Sequence, residues 1–205
     1  MAATAPEPPP GPRSEGRLAR LRRSPATSGL LVALLLAYLA SRENPDLVDR
    51  FAKVDASVRA GQLWRLFTAS FLHAGLAHLA VNGFALSVIG PTVEFLYGPV
   101  VLLLFFLFGG AVGFAASTVF VPSPSLGASA GLFALLGTLL AFAVRSRDRL
   151  LPAVRRAMIR EILTVAAFNL ALGLVVGFID NAAHVGGFLG GLALGLLVRP
   201  RRRRA

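Results

Sequence analysis

The sequence predicts an all-α membrane protein with six transmembrane helices, and three observations predict it. Hydrophobic residues make up 55% of the 205 residues and charged residues only 15%, against roughly 25% charged in an ordinary soluble domain. The mean hydropathy is +0.68. The charges gather in tails and links, with long uncharged runs between them, and several runs approach the ~20 residues that cross a bilayer as a helix. In water such runs have no second layer to cover them. Lipid covers them directly, and a helix satisfies its own backbone there.

Residues 1–24 are rich in Pro, Ala and Arg, lack apolar periodicity and read as a disordered, basic cytoplasmic tail. The first span is expected over 25–40, with Ser24 as N-cap and Pro25 at the first helical position. A cleaved signal peptide is the alternative for this short run, although Tyr38 and Leu39 make a poor small-residue cleavage signature. Five more spans are expected over 68–89, 99–120, 129–144, 162–178 and 182–198. The membrane domain is thus 25–198, followed by a basic cytoplasmic tail, 199–205.

The arginines set the expected orientation. With six spans, the N-terminal tail, the link carrying Arg145 to Arg160 and the C-terminal arginines share one side, which the positive-inside rule makes the cytoplasm. The opposite side holds the loop 41–65, whose basic residues are largely offset by Glu43, Asp46, Asp49 and Asp55. Both termini are therefore expected in the cytoplasm, in a bacterial plasma membrane. Lys53 is the only lysine among 21 basic residues, which reads as the coding bias of a GC-rich genome. The net charge of +11 does not point to nucleic acid, because the arginines flank apolar runs and no soluble basic domain exists to carry a groove. The absence of cysteine excludes disulfides, a thiolate nucleophile and thiolate-bound zinc.

Ionisable residues inside spans are expensive and point to function. His73, His78 and His184 all fall in or at the ends of predicted spans. Ser129 precedes Arg145 by 16 residues, His184 precedes Arg199 by 15, and His78 precedes Glu94 by 16. At 1.5 Å per residue each lies ~22–24 Å from the basic face, hence at one depth, several Å inside a core of about 30 Å. Ser129 lies in the run Ser-Leu-Gly-Ala-Ser-Ala-Gly-Leu-Phe, residues 125–133, just after Pro122 and Pro124, where a loop turns into a helix. Unpaired N–H groups at a helix start suit an oxyanion, although a plain N-cap role for Ser129 or Ser125 is the alternative. Gly187, Gly191 and Gly195 recur every four residues and let a neighbouring helix approach closely, on the stripe that carries His184. If that neighbour is the fourth helix, with Gly127, Ala130 and Gly131, the imidazole reaches Ser129 and makes the minimal activated nucleophile. His78 and Asn82 share a helix face and can both donate toward a developing negative charge. His73 and His78 are five apart, roughly 140° around a helix, and make no natural metal pair. A zinc site of His78, His184 and Asp180 is the competing chemistry, but there is no HExxH and no second carboxylate within a span.

These residues resemble the rhomboid family. The pattern His73, His78, Asn82 resembles its second-helix motif, Gly127-Ala-Ser129 its nucleophile motif, and Ala183-His184-x-x-Gly187-x-x-x-Gly191 its sixth-helix motif. Trp64-Arg65 resembles a pair in the first external loop, and Glu94 an acidic residue after the second helix. The resemblance implies a six-transmembrane-helix rhomboid-like bundle and an intramembrane serine endopeptidase with a Ser–His dyad and no third acid. It implies Ser129 as nucleophile and His184 as general base. Asn82, His78 and the Ser129 N–H would form the oxyanion hole, and Phe133 would stack on the base. It also implies an embedded first loop, a mobile fifth helix, transmembrane protein substrates and no metal or organic cofactor. Two positions depart from the pattern: Ala130 stands where the family has glycine after the serine, and Ile179 where a glycine often precedes the Ala-His pair. An inactive relative that binds transmembrane clients is the alternative function, and a small transporter a further one.

Overall fold

The computed structural model describes residues 16–121 and 124–201. The first 15 residues, Pro122, Ser123 and the last four residues lie outside this range. The helices in chain order are α1 (Arg17–Arg22), α2 (Pro25–Glu43), α3 (Asp46–Phe51), α4 (Asp55–Arg59), α5 (Arg65–Thr68), α6 (Leu76–Tyr97), α7 (Pro99–Phe120), α8 (Ser129–Arg145), α9 (Pro152–Val175) and α10 (Asn181–Leu197). A single 3₁₀ turn, Ala69–Phe71, follows α5. The described residues thus form an all-α bundle. Helices α2, α6, α7 and α9 are long and apolar enough to cross a membrane, and α8 and α10 are shorter apolar helices of about 25 Å at 1.5 Å per residue. Large apolar side chains such as Leu36, Phe84, Phe95, Phe108 and Phe168 are more than half exposed or close to it, a surface that lipid covers and water does not.

Several expectations change at the element ends. Arg17–Arg22 is helical within the segment expected to be a structureless tail. Ser24 does not cap α2; its hydroxyl donates to the Arg20 carbonyl instead. The cap comes from far along the chain. Glu94 is buried, and its carboxylate accepts from the N–H of Ala26 (3.0 Å), the N–H of Thr27 (2.8 Å) and the Thr27 hydroxyl (2.8 Å). A carboxylate at a helix N-terminus meets both the unpaired donors and the positive end of the dipole. Glu94 itself lies in the last turn of α6, not after it.

The second span begins at Leu76 rather than at residue 68. Thr68 turns its hydroxyl back to the Phe51 carbonyl at 2.8 Å, and the backbone is extended at Leu72 and Gly75. His73 therefore stands on a link, outside the helix. The fifth span starts at Pro152, because proline at the first position opens a helix well before its apolar part begins. The loop between α2 and α6 packs as a body. Arg65 is buried, donating to Gln62 Oε1 (2.6 Å) and to the carbonyls of Asp49 and Ala52 (both 2.8 Å), while the adjacent Trp64 is half exposed.

Helix α8 is the axis of the core: from Ala130 to Leu139 every residue is buried, as expected of a helix apolar all round. A Cβ added at Gly187 would strike the Ala130 carbonyl, one at Gly191 the Ala134 carbonyl, and one at Gly195 Ala141 and Thr138. These pairs rise together along both chains, so α8 and α10 run parallel with their backbones in contact. Gly113 and Gly109 of α7 face Ala130 and Ala134 in the reverse order, so α7 runs antiparallel to both. Of the three small residues expected to receive the glycine stripe of α10, only Ala130 does. Gly131 instead faces Phe106 of α7, and Gly127 faces His78.

Candidate active site

Three helices begin on one side of the bundle, and each carries a polar residue in its first turn. Ser129 is the first residue of α8, His78 is in the first turn of α6, and His184 is in the first turn of α10. The N-cap of α8 is Ala128, so neither Ser129 nor Ser125 takes the capping role. The stretch before Ser129 is held from two sides. Ser125 exchanges a pair of main-chain hydrogen bonds with Lys53 (3.0 and 2.9 Å), and the Gly127 N–H donates to the Ala69 carbonyl (2.9 Å). The Ala128 N–H points at His73 Nε2, at 3.5 Å.

Gly127 has φ +127°, a conformation that side chains rarely adopt. The position also leaves no room for a side chain. A Cβ there would lie 2.7 Å from His78 Cε1, 2.8 Å from His78 Nε2 and 3.7 Å from Asn82 Nδ2. The α6 pair His78 and Asn82 is thus packed on the main chain that leads into Ser129. Asn82 is buried, and its Nδ2 has no hydrogen-bond partner among the described residues.

His184 lies flat on Phe133, with ring centroids 4.2 Å apart and planes 10° apart. Phe133 is one turn along α8 from Ser129, on the same face, so the imidazole is held beside the helix that Ser129 opens. His184 is buried, and its Nδ1 has no hydrogen-bond partner among the described residues. Gly187, one turn on, makes the contact with Ala130 that allows this approach, and Gly191 repeats it at Ala134. Ala130, in the position of the family's glycine, is accommodated by Gly113 and Gly187 and is fully buried.

His73 meets His78 edge to face, with centroids 5.0 Å apart. The expected separation around a common helix does not apply, because the extended link frees His73 from α6. Burial pushes the His73 imidazole down to about 4, with the neighbouring His78 adding to the effect, against the raising influence of the Phe71 carbonyl. A neutral ring follows, with Nδ1–H toward Phe71 O (3.3 Å) and Nε2 free to accept from Ala128. Asp180, the third member of the zinc alternative, is engaged elsewhere. Its Oδ1 caps α10 by accepting from the Ala183 N–H (2.9 Å), and its Oδ2 accepts from the Ser117 hydroxyl (2.5 Å). Sequence reasoning missed Ser117 and the buried ammonium of Lys53 that donates to it (2.8 Å). The available signal was a lone lysine in a chain that otherwise uses arginine.

Comparison with known proteins bears on this arrangement. The family model of the rhomboid domain matches residues 60–201, more than half of the chain. The chain belongs to the rhomboid family. As a rhomboid-family protein with these apolar helices it is an integral, multi-pass membrane protein. It is 40% identical over 172 residues to rhomboid protease GluP of Bacillus subtilis (strain 168), which covers 82% of this chain and 33% of that protein. It is 33% identical over 195 residues to RHOMBOID-like protein 1 of Arabidopsis thaliana, covering 88% of this chain and 49% of that one. It is also 32% identical over 129 residues to inactive RHOMBOID-like protein 8 of Arabidopsis thaliana, covering 62% and 36%. This rhomboid chain spans about a third to a half of the length of these relatives.

Proposed function

We propose that the protein is an intramembrane serine endopeptidase that cleaves transmembrane protein substrates near the outer face of the membrane, with Ser129 as nucleophile and His184 as general base. The observation that carries this reading is the stacking of His184 on Phe133, 4.2 Å apart and one turn from Ser129. The membrane domain is 25–198, the flanking basic segments lie on the cytoplasmic side, and the site opens outward. The bacterial plasma membrane is its expected location.

In this reading His184 takes the Ser129 Oγ proton as the oxygen attacks the scissile carbonyl. The oxyanion forms at the start of α8, where the N–H groups are unpaired and the dipole is positive. Asn82 Nδ2, a buried donor without a partner, His78 and the Ser129 N–H receive it. The imidazolium then protonates the leaving amine, and water, activated by the same base, releases the acyl group. His73 supports the arrangement by holding the Ala128 N–H and the His78 ring. Substrates with helix-breaking residues are favoured, since a helical amide is closed to attack. No metal or organic cofactor takes part.

The test is cleavage of a reconstituted transmembrane substrate by the wild type and by Ser129→Ala. Cleavage that vanishes in the variant and survives a chelator supports the reading. Equal cleavage in both removes Ser129 as nucleophile. Folded protein that never cleaves, and binds transmembrane segments, would make it a client-binding relative.

A further inference from the structure

Lys53 lies between α3 and α4, is fully buried and is the only lysine in the chain. An ammonium without exposure is costly unless surrounding groups satisfy it. Its Nζ donates to Ser117 Oγ at 2.8 Å and pairs with Asp55 Oδ1 at 2.7 Å. The Ser117 hydroxyl in turn donates to Asp180 Oδ2 at 2.5 Å, a short charge-assisted bond. Asp180 then grips the first turn of α10 twice: its Oδ1 accepts from the Ala183 N–H (2.9 Å) and its carbonyl from the His184 N–H (3.1 Å). The chain of bonds therefore runs from the external loop, through α7, to the residue proposed as base.

The main chain of the same residue reaches the other half of the site. Lys53 N–H donates to the Ser125 carbonyl (3.0 Å) and the Ser125 N–H to the Lys53 carbonyl (2.9 Å). This isolated antiparallel bridge fixes the strand that turns through Gly127 into Ser129. A chain that uses arginine at every other basic position uses lysine here. The closed site takes a compact point charge, where a planar guanidinium would need more room and a fork of acceptors.

We infer that Lys53 is a positioning residue that clamps both halves of the Ser129–His184 pair, its backbone holding the nucleophile's loop and its side chain, through Ser117 and Asp180, holding the base's helix. This rests on the protease reading above.

The experiment compares the wild type, Lys53→Met and Ser117→Ala, each reconstituted in liposomes. One readout is the rate at which a fluorophosphonate labels Ser129, together with kcat and KM for a transmembrane substrate. The other is amide hydrogen exchange at Ser125, Ala183 and His184. In Lys53→Met, labelling and kcat are expected to fall about 10- to 100-fold, since a misplacement of ~1 Å costs on the order of 10²-fold. KM should stay within roughly two-fold, because the loss falls on the reacting geometry and not on substrate binding. Exchange is expected to quicken at Ala183 and His184 through the lost side-chain bonds, and at Ser125 because the main-chain bridge, though retained, is no longer pinned by the buried Nζ contacts of the same residue. Ser117→Ala cuts only the side-chain branch, so Ala183 and His184 should quicken while Ser125 does not; this variant carries the test if Lys53→Met does not fold. Unchanged kcat with unchanged exchange overturns the clamp, as does a raised KM with kcat intact. A wild type that neither labels nor cleaves defeats the protease reading instead. Exchange alone then decides the clamp, which stands if the amides quicken and falls if they do not.

Discussion

Gly127→Ala tests the site at the residue where backbone and side-chain demands coincide. At φ +127° the new side chain meets strain of about 1–3 kcal/mol for a non-glycine residue in a sparsely populated region. Its Cβ would also stand 2.7 Å from His78 Cε1 and 2.8 Å from His78 Nε2. Ordinary contact begins at 3.4 Å, so the imidazole or the loop must retreat by about 0.7 Å if the rest is to stay in place, a shift of the order that costs up to ~10²-fold in rate. The expected result is a fall in the melting temperature of the detergent-solubilised protein by several degrees, for a loss of about 2 kcal/mol, with kcat reduced about 10- to 100-fold. Gly29→Ala is the control. Gly29 is helical and an added Cβ meets nothing within 4 Å, so stability should hold or rise by up to ~1 kcal/mol, with kcat unchanged. Thermal unfolding and cleavage of a reconstituted transmembrane substrate measure both. Gly127→Ala that melts and cleaves like the wild type would refute the account of why glycine stands there.

Three further outcomes are expected. Glu94→Ala removes three hydrogen bonds from the start of α2 and should destabilise the protein by about 2–4 kcal/mol, with Glu94→Gln losing less; thermal unfolding measures the order. Phe133→Ala removes the face on which His184 lies, and should lower kcat about ten-fold or more with KM little changed; an unchanged kcat would deny the stacked ring any part in orienting the base. The folded-state value of His73, about 4 against an ordinary 6.5, means that folding favours its neutral form. Its contribution to stability is complete above pH 6.5 and is lost as the pH falls through that value toward 4. His73→Gln should therefore flatten the decline of the melting temperature between pH 7 and pH 4.5, and an equal decline in both proteins would contradict the assignment.

Uncharged runs near spanning length were enough to read six apolar helices, because lipid selects for hydropathy summed along one continuous segment. The placing of His78, Ser129 and His184 toward the same ends of their helices was legible for a similar reason. The rise of a helix is constant, so distance from a charged end converts directly to depth, and all three proved to lie in first turns. The small residues of α10 announced a close helix neighbour, but only packing decided that Ala130, and not Gly127 or Gly131, receives Gly187.

What local signals could not reach was set by contacts between distant segments. Ser24 had the right chemistry for a cap, but the carboxylate of Glu94, 67 residues from Thr27, is the stronger acceptor and takes the place. The pattern of apolar residues ran the second span back to 68, whereas the Thr68 hydroxyl bonds to Phe51 and the chain extends before Leu76. That break brings His73 against His78. Lys53 carried no motif at all, and its composition alone suggested only a coding bias. Its burial between the loop, α7 and the cap of α10 exists only once the chain has folded. Hydropathy and helical rise are properties of a segment and can be read along the chain, whereas a cap, a buried charge and a ring contact belong to pairs of segments that only the tertiary fold brings together.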